Sequence, residues 1–390
     1  MAGHAGDPPA DARVDDVVAP PKNHPRFPLV DGLRAIAAIS VLIYHVNLFG
    51  STDIHLVNQL IGGLSVSVPI FFLVSGFLLY RPFIAHRNGG PARLSIPGYS
   101  RNRALRIFPA YWLVLLVLAI LPGIAAYNGQ TTVWDLTLTN QIPLPGNTPC
   151  VVTANECALA QTWSLMVEVS FYVFLPIYAA LAAIAFKRLR LTAWAWLEIL
   201  LLLVLGLIAT VFAQTNLTSF DLSWISGTMI GHFLWLALGM GLAIASVRWG
   251  RHPRAHRVGD LGVLWWALAF GIFLAIVFWI TPRIGQGDVY LSLGMVLQGM
   301  VAFLLLLPAA FETTRLTLVN RFLSWSPVAW IGLISYGVFL WHFVIAQKLG
   351  HLGAGFSFVP LLAATIGLTI PIAAASYYGL ERPILRFKRR

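Results

Sequence analysis

The chain has 390 residues, of which 58% are hydrophobic and 11% charged, and its mean hydropathy is +0.77. A typical soluble domain carries about 25% charged residues, so these values exclude an ordinary soluble enzyme, as they do a disordered or collagen-like chain, and they fit a polytopic helical membrane protein. The formal charge is +11, but the basic residues sit in short clusters between apolar runs and no nucleic-acid-binding motif accompanies them, so nucleic acid is not an expected partner.

In chain order, residues 1–28 are polar, Pro-rich and partly acidic, and read as a flexible cytoplasmic tail. The apolar run that follows is too long for a cleaved signal peptide and is expected to stay as a helix. Ten spans are predicted, at 29–48, 58–83, 106–127, 161–185, 192–213, 224–246, 259–279, 287–311, 326–347 and 353–380. The fold expected is an all-α polytopic transmembrane bundle, with a membrane domain over 29–380 and a basic cytoplasmic tail over 381–390. Pro69, Pro109, Pro176 and Pro371 lie in or at the ends of spans and are candidate kinks. Residues 84–105 read as an inner loop with aromatic and basic content, re-entrant or interfacial in character.

Alternating the spans from a cytoplasmic N-terminus puts every Lys and Arg except Arg283 and Lys348 in inner loops, tails or helix ends. An odd number of spans spoils that pattern, so both termini are predicted to be cytoplasmic. The largest outer loop is then 128–160, which carries Cys150 and Cys157. The two cysteines are close enough for a small disulfide loop, the expected state if the loop faces an oxidising compartment, and no further ligand beside them suggests a metal site. Asn216-Leu217-Thr218 is a formal glycosylation sequon, a pattern common by chance.

Ionisable residues inside spans are costly and face cavities or partners. Arg34 and His45 are 11 residues apart in the first span, about three turns plus 20°, so they share one helix face about 16 Å apart along the axis. Arg34 is either a snorkelling anchor or an anion ligand. His45 is either a helix–helix hydrogen-bonding group or a general base. Glu168, in the fourth span, lies in the same outer half of the bundle, where it either orients the imidazole, holds a sugar hydroxyl or makes a buried structural pair. Trp163 is interfacial packing or a stacking surface for a sugar. His342, in the ninth span, is expected at a depth like that of His45. Arg101, Arg103 and Arg106, at the inner end of the third span, obey positive-inside topology and also suit phosphate binding through paired guanidinium donors.

Several segments resemble, in order, the integral membrane acyltransferase family 3, which includes bacterial O-acetyltransferases of surface polysaccharides and macrolide acyltransferases. They are Leu29-Val30-Asp31-Gly32-Leu33-Arg34 with His45 eleven residues after Arg34, Phe71-Phe72-Leu73-Val74-Ser75-Gly76-Phe77, Arg103-Ala104-Leu105-Arg106-Ile107-Phe108-Pro109, Trp163-Ser164-Leu165-Met166-Val167-Glu168, Ser335-Tyr336-Gly337 with Trp341-His342, and Glu381-Arg382-Pro383. The likeness covers residues 25–385. It implies a ten-helix bundle in a bacterial inner membrane that moves an acyl group from cytoplasmic acyl-CoA to a hydroxyl of an extracytoplasmic or lipid-linked glycan, the acyl group being acetyl or, alternatively, succinyl. Acyl-CoA would be a donor substrate and no cofactor would be permanently bound. In the family, the residues matching Arg34 and His45 are needed for activity. Many relatives carry a fused SGNH-type domain; this chain ends at Arg390, so a stand-alone form is expected.

The resulting assignment has His45 and Glu168 as catalytic groups and Arg34, Arg101, Arg103 and Arg106 as CoA ligands. Trp163, Ser75, Tyr336 and His342 are assigned to the substrate. The competing reading is a transporter or flippase whose polar helix face lines a path for a lipid-linked sugar or an anion.

Overall fold

The structure, a computed structural model, describes residues 28–50, 52–89, 95–120, 131–139, 159–189, 193–215, 225, 227–250, 252–311, 313, 316–352 and 357–387. The Cys150–Cys157 disulfide, the sequon at Asn216, residues 1–27 of the N-terminal tail and residues 388–390 of the C-terminal tail lie outside the described residues.

Every regular element described is helical. The order is α1 (Pro28–Phe49), α2 (His55–Gly63), α3 (Ser67–Arg87), α4 (Ile96–Ile120), α5 (Thr131–Leu136), α6 (Trp163–Phe186), α7 (Ala193–Thr215), α8 (Phe233–Trp249), α9 (Pro253–Asp260), α10 (Gly262–Ala275), α11 (Asp288–Ala310), α12 (Leu318–Ser324), α13 (Ser326–Leu352), α14 (Phe358–Ser376) and α15 (Arg382–Leu385). An all-helical build is what hydrocarbon demands, because a helix satisfies its own backbone donors and acceptors. Among the described residues, nine helical stretches are long and apolar enough to cross a bilayer. The predicted sixth span corresponds to α8, whose 17 residues are shorter than the rest. Residues all around α8 are buried, from Phe233 and Leu234 to Met240, Ala243 and Ser246, so it sits inside the bundle rather than against lipid.

Several boundaries differ from the sequence expectation. The second span is longer than predicted, His55–Arg87, and is interrupted by a 3₁₀ turn at Leu64–Val66. Pro69, the third residue of α3, stands three residues past the end of that turn; having no N–H, it cannot bond the Ser65 carbonyl four residues back, which is where the regular ladder breaks. Residues 84–105 are not a loop throughout: α3 continues to Arg87, and α4 starts at Ile96, well ahead of the predicted 106. Hydropathy alone ends a span at its arginines, but arginine is a good helix former, and here Arg101, Arg103 and Arg106 all lie within α4. At the other end of the chain, helical backbone runs Phe358–Leu385, through the first residues of the predicted basic tail.

α1 packs chiefly on α13, and α3 on α8. Both crossings are close enough to need glycine. A Cβ on Gly332 of α13 would lie 1.9 Å from the Asp31 carbonyl oxygen of α1, and one on Gly239 of α8 would lie 2.1 Å from the Leu73 carbonyl oxygen of α3. Such backbone contacts are how helices associate in lipid, where burying apolar side chains gains nothing over the surrounding tails. The first crossing fixes α1 against α13 and the second fixes α3 against α8, and α1, α3 and α13 all line the site. Near the end of α3, Glu198 of α7 is fully buried. It accepts hydrogen bonds from Tyr80 and Arg87 of α3, and Arg87 also stacks 4.1 Å over the Trp194 ring.

Candidate active site

A cavity of about 350 Å³ lies between α1, α3, α4, α6 and α13. Its lining follows helical periodicity. α1 presents Val30, Arg34 and Val41, α3 presents Val68, Phe71, Phe72, Ser75 and Leu79, and α13 presents Ser335, Tyr336 and Phe339. Asp31 and Arg34 line it from the first turns of α1, and Arg103 and Arg106 line it from α4, whose Ile107 carbonyl is bonded to Tyr336 of α13. Farther along α1 and α13 the lining turns apolar at Val41 and Phe339, with Val68, Phe71 and Leu165 beside Ser164.

The three arginines of α4 separate. Arg103 and Arg106 stand three residues apart on one face and line the cavity. Arg101 is exposed and does not, because two residues turn a helix by about 200°. Arg34 is 4.0 Å from Asp31. Arg103 has its guanidinium carbon 5.9 Å from the ring centres of both Tyr99 and Tyr172, yet its Nε is buried with no hydrogen-bond partner. Neither Arg103 nor Arg106 is paired with a carboxylate among the described residues. Buried guanidinium donors left without partners are costly, and an anionic ligand in the cavity would satisfy them.

Glu168 stands in the cavity wall between the polar and apolar ends. Its Oε1 accepts from the Ser75 hydroxyl at 3.0 Å and from the Tyr172 hydroxyl at 2.6 Å, while its Oε2 takes no hydrogen bond from the described residues. The carboxylate is thus held from behind with one oxygen free. Ser75 belongs to the cavity through this bond. Tyr336 also lines the cavity, but its hydroxyl donates to the Ile107 carbonyl at 2.8 Å and ties α13 to α4.

His45 and His342 come together, with His45 Nδ1 2.8 Å from His342 Nε2. Neither lines the cavity directly. Each continues a lining stripe by one turn: His45 lies four residues beyond Val41, and His342 three beyond Phe339, so the pair stands about 5–6 Å past those residues along the helix axes. Glu168 is bonded to Ser75 and Tyr172, and the partner of the His45 imidazole is His342. Trp163 packs on His232 at 4.8 Å and on Phe72 at 6.2 Å, beside the cavity-lining Ser164.

Sequence reasoning gave Tyr172 and Asp31 no role. The signal for Tyr172 is its i+4 spacing from Glu168, which puts both on one helix face. Asp31 stands three residues before Arg34, the spacing of a local ion pair.

A family model for an acyltransferase domain matches residues 27–378. The chain belongs to acyltransferase family 3. This family member is 25% identical to the peptidoglycan O-acetyltransferase OatA of Listeria monocytogenes serovar 1/2a, over 92% of this chain and 55% of that protein. It is 26% identical to Nodulation protein 10 of Rhizobium leguminosarum bv. viciae, over 92% of this chain and 93% of that protein. It is 24% identical to YrhL of Bacillus subtilis (strain 168), over 93% of this chain and 55% of that protein. The chain therefore spans about half the length of OatA and YrhL and nearly all of Nodulation protein 10. No solved structure gives a significant match. Membership of an acyltransferase family, with nine apolar spanning helices among the described residues, makes this acyltransferase family 3 chain an integral membrane protein.

Proposed function

We propose that the protein transfers an acetyl group from acetyl-CoA, on the cytoplasmic side of a bacterial plasma membrane, to a hydroxyl of an extracytoplasmic or lipid-linked glycan of the cell wall. The observation that carries this reading is the polarity of the cavity between α1, α3, α4, α6 and α13. Two arginines without carboxylate partners stand at one end, and an apolar lining leads from them toward a histidine pair. That order fits the donor, whose phosphates are anionic and whose thioester sits at the far end of a long, uncharged arm. Arg103 and Arg106, with Arg34, hold the phosphates. The apolar walls exclude water and protect the thioester. The preference for acetyl and for a cell-wall glycan comes from the likeness to a peptidoglycan O-acetyltransferase. The sidedness comes from the distribution of Lys and Arg, which puts both termini and the arginine end of the cavity in the cytoplasm.

In the reaction, His45 takes the proton of the acceptor hydroxyl as its oxygen adds to the thioester carbonyl carbon. The C–S bond breaks, and the departing sulfur recovers the proton as the thiol. Glu168, held by Ser75 and Tyr172, offers its free oxygen to an acceptor hydroxyl and fixes its position. The match to an acyltransferase family does not favour transport.

The test is purified protein in lipid nanodiscs, given acetyl-CoA labelled in the acetyl group and soluble peptidoglycan fragments. The reading requires a labelled O-acetyl ester and one free thiol per ester. Label recovered only in unreacted acetyl-CoA contradicts it.

A further inference from the structure

We propose that His342 is a positioning residue. It fixes His45 as the tautomer protonated on Nδ1 and thereby leaves His45 Nε2 as the bare, proton-accepting nitrogen. The chemistry this serves rests on the acyl-transfer reading above; the tautomer assignment stands on geometry alone.

The proton positions follow from the network. His342 is fully buried, and its Nδ1 is 2.9 Å from the Val338 carbonyl oxygen one turn back on α13. A carbonyl only accepts, so this contact puts a proton on His342 Nδ1. A neutral imidazole carries one N–H, so His342 Nε2 presents a lone pair. The atom 2.8 Å from that lone pair is His45 Nδ1. Two lone pairs do not approach that closely, so the proton between them belongs to His45 Nδ1, and His45 Nε2 is then unprotonated. The ring geometry agrees. The centroids are 5.1 Å apart with planes 24° from parallel, as expected when the N···N line of 2.8 Å runs in the ring planes with a ring radius added on either side. A face-to-face stack would take the nitrogens off each other's lone-pair direction.

The rest of the surroundings make this arrangement rigid. Phe343 meets the His45 ring edge-on at 5.1 Å, and the fully buried Leu42 and Val46 flank His45 on α1. His45 Nε2 makes no hydrogen bond to the described residues and is not among their sealed, unpartnered polar atoms, so it remains accessible to a ligand. When Nε2 takes the proton of an acceptor hydroxyl, His45 becomes an imidazolium whose Nδ1–H still points at the His342 lone pair, so the new charge is met by an acceptor already in place. The chain Val338 carbonyl, His342, His45 thus does for a neutral site what an orienting carboxylate does for a histidine base. Sequence reasoning assigned His342 to the substrate; here it acts through His45 instead.

The experiment uses the full chain in nanodiscs with ¹⁵N-labelled histidine, the His45 and His342 resonances being assigned by loss in His45→Gln and His342→Gln. Nitrogen shifts distinguish protonated from bare ring nitrogens. The expected result is His45 protonated on Nδ1 and bare on Nε2, with that preference lost in His342→Leu and kept in His342→Gln, whose amide oxygen can still accept. His45 protonated on Nε2, or an unchanged tautomer in His342→Leu, overturns the proposal. The kinetic arm uses acetyl-CoA and soluble peptidoglycan fragments. His342→Leu should lower kcat by about tenfold or more with KM for acetyl-CoA unchanged, and His342→Gln should recover most of the loss. A rise in KM with kcat intact, or a Gln variant as impaired as the Leu variant, also overturns it. Absence of transfer by the unsubstituted protein defeats the acyl-transfer reading, while the nitrogen shifts still decide the tautomer.

Discussion

The Ser75 hydroxyl of α3 and the Tyr172 hydroxyl of α6 converge on one oxygen of Glu168, at 3.0 and 2.6 Å. Two donors on one carboxylate oxygen do not act independently. Hydrogen bonds to charged groups contribute about 1.5–3 kcal/mol. Ser75→Ala and Tyr172→Phe are each expected to slow transfer by roughly ten- to hundredfold. Because both aim the same group, the double variant should lose less than the product of the two. Coupling of about 0.5 kcal/mol or more in the double-mutant cycle is the expected reading; strict additivity would show that Glu168 is not held by the pair.

The arginines of α4 should divide by face. Arg103→Ala and Arg106→Ala remove cavity donors and are expected to weaken acetyl-CoA binding by about 1.5–3 kcal/mol each, roughly ten- to hundredfold. Arg101 is exposed and outside the cavity lining, so Arg101→Ala should leave the affinity nearly unchanged. Calorimetric titration with acetyl-CoA measures all three. An Arg101 effect as large as that of Arg103 contradicts the assignment.

Glu198 should matter to stability and little to transfer. Removing it leaves Arg87 beside Trp194 without its carboxylate and Tyr80 without its acceptor. Breaking such a buried pair costs about 3–5 kcal/mol, reduced here because Arg87 is partly exposed. Thermal unfolding of Glu198→Ala in nanodiscs should show a clear drop in Tm, while turnover per folded molecule at low temperature stays near that of the unsubstituted protein. An unchanged Tm would show that the cluster contributes nothing to the fold.

Gly239 and Gly367 make a matched pair. A Cβ on Gly239 meets the α3 backbone at 2.1 Å, whereas one on Gly367 meets nothing within 4 Å. Gly239→Ala must push α3 and α8 apart and is expected to cost about 1–3 kcal/mol, with transfer impaired because α3 carries Ser75. Gly367→Ala lies mid-helix in open space and should be neutral or stabilising by about 0.5–1 kcal/mol. Equal Tm values for the two variants would contradict the close crossing.

The helical bundle was legible because hydrocarbon permits few alternatives: long apolar runs read directly as spans. The shared face of Arg34 and His45 was legible from spacing alone, and in the structure Val41 lies on the cavity-lining stripe between them. What spacing could not give is register between distant helices. His45 and His342 are 297 residues apart, and their contact depends on where α1 crosses α13, a crossing set by Gly332 against the Asp31 backbone. The arginine cluster was read as one unit, although its own two-residue step already turned Arg101 away from the other two. Glu198 went unread because it is a single carboxylate in the apolar run of α7, and its partners Tyr80 and Arg87 lie on another helix. The start of α4 was misjudged because arginines depress hydropathy while favouring helix.

Proton transfer by His45 for an acetyl group supplied by acetyl-CoA is the step on which the proposed function depends. It is tested most directly by measuring label transfer from acetyl-CoA to peptidoglycan fragments with the unsubstituted protein and with His45→Ala in the same nanodiscs, alongside acetyl-CoA affinity. Affinity should be unchanged and transfer reduced by about 100-fold or more. Transfer by His45→Ala at the rate of the unsubstituted protein would contradict that step.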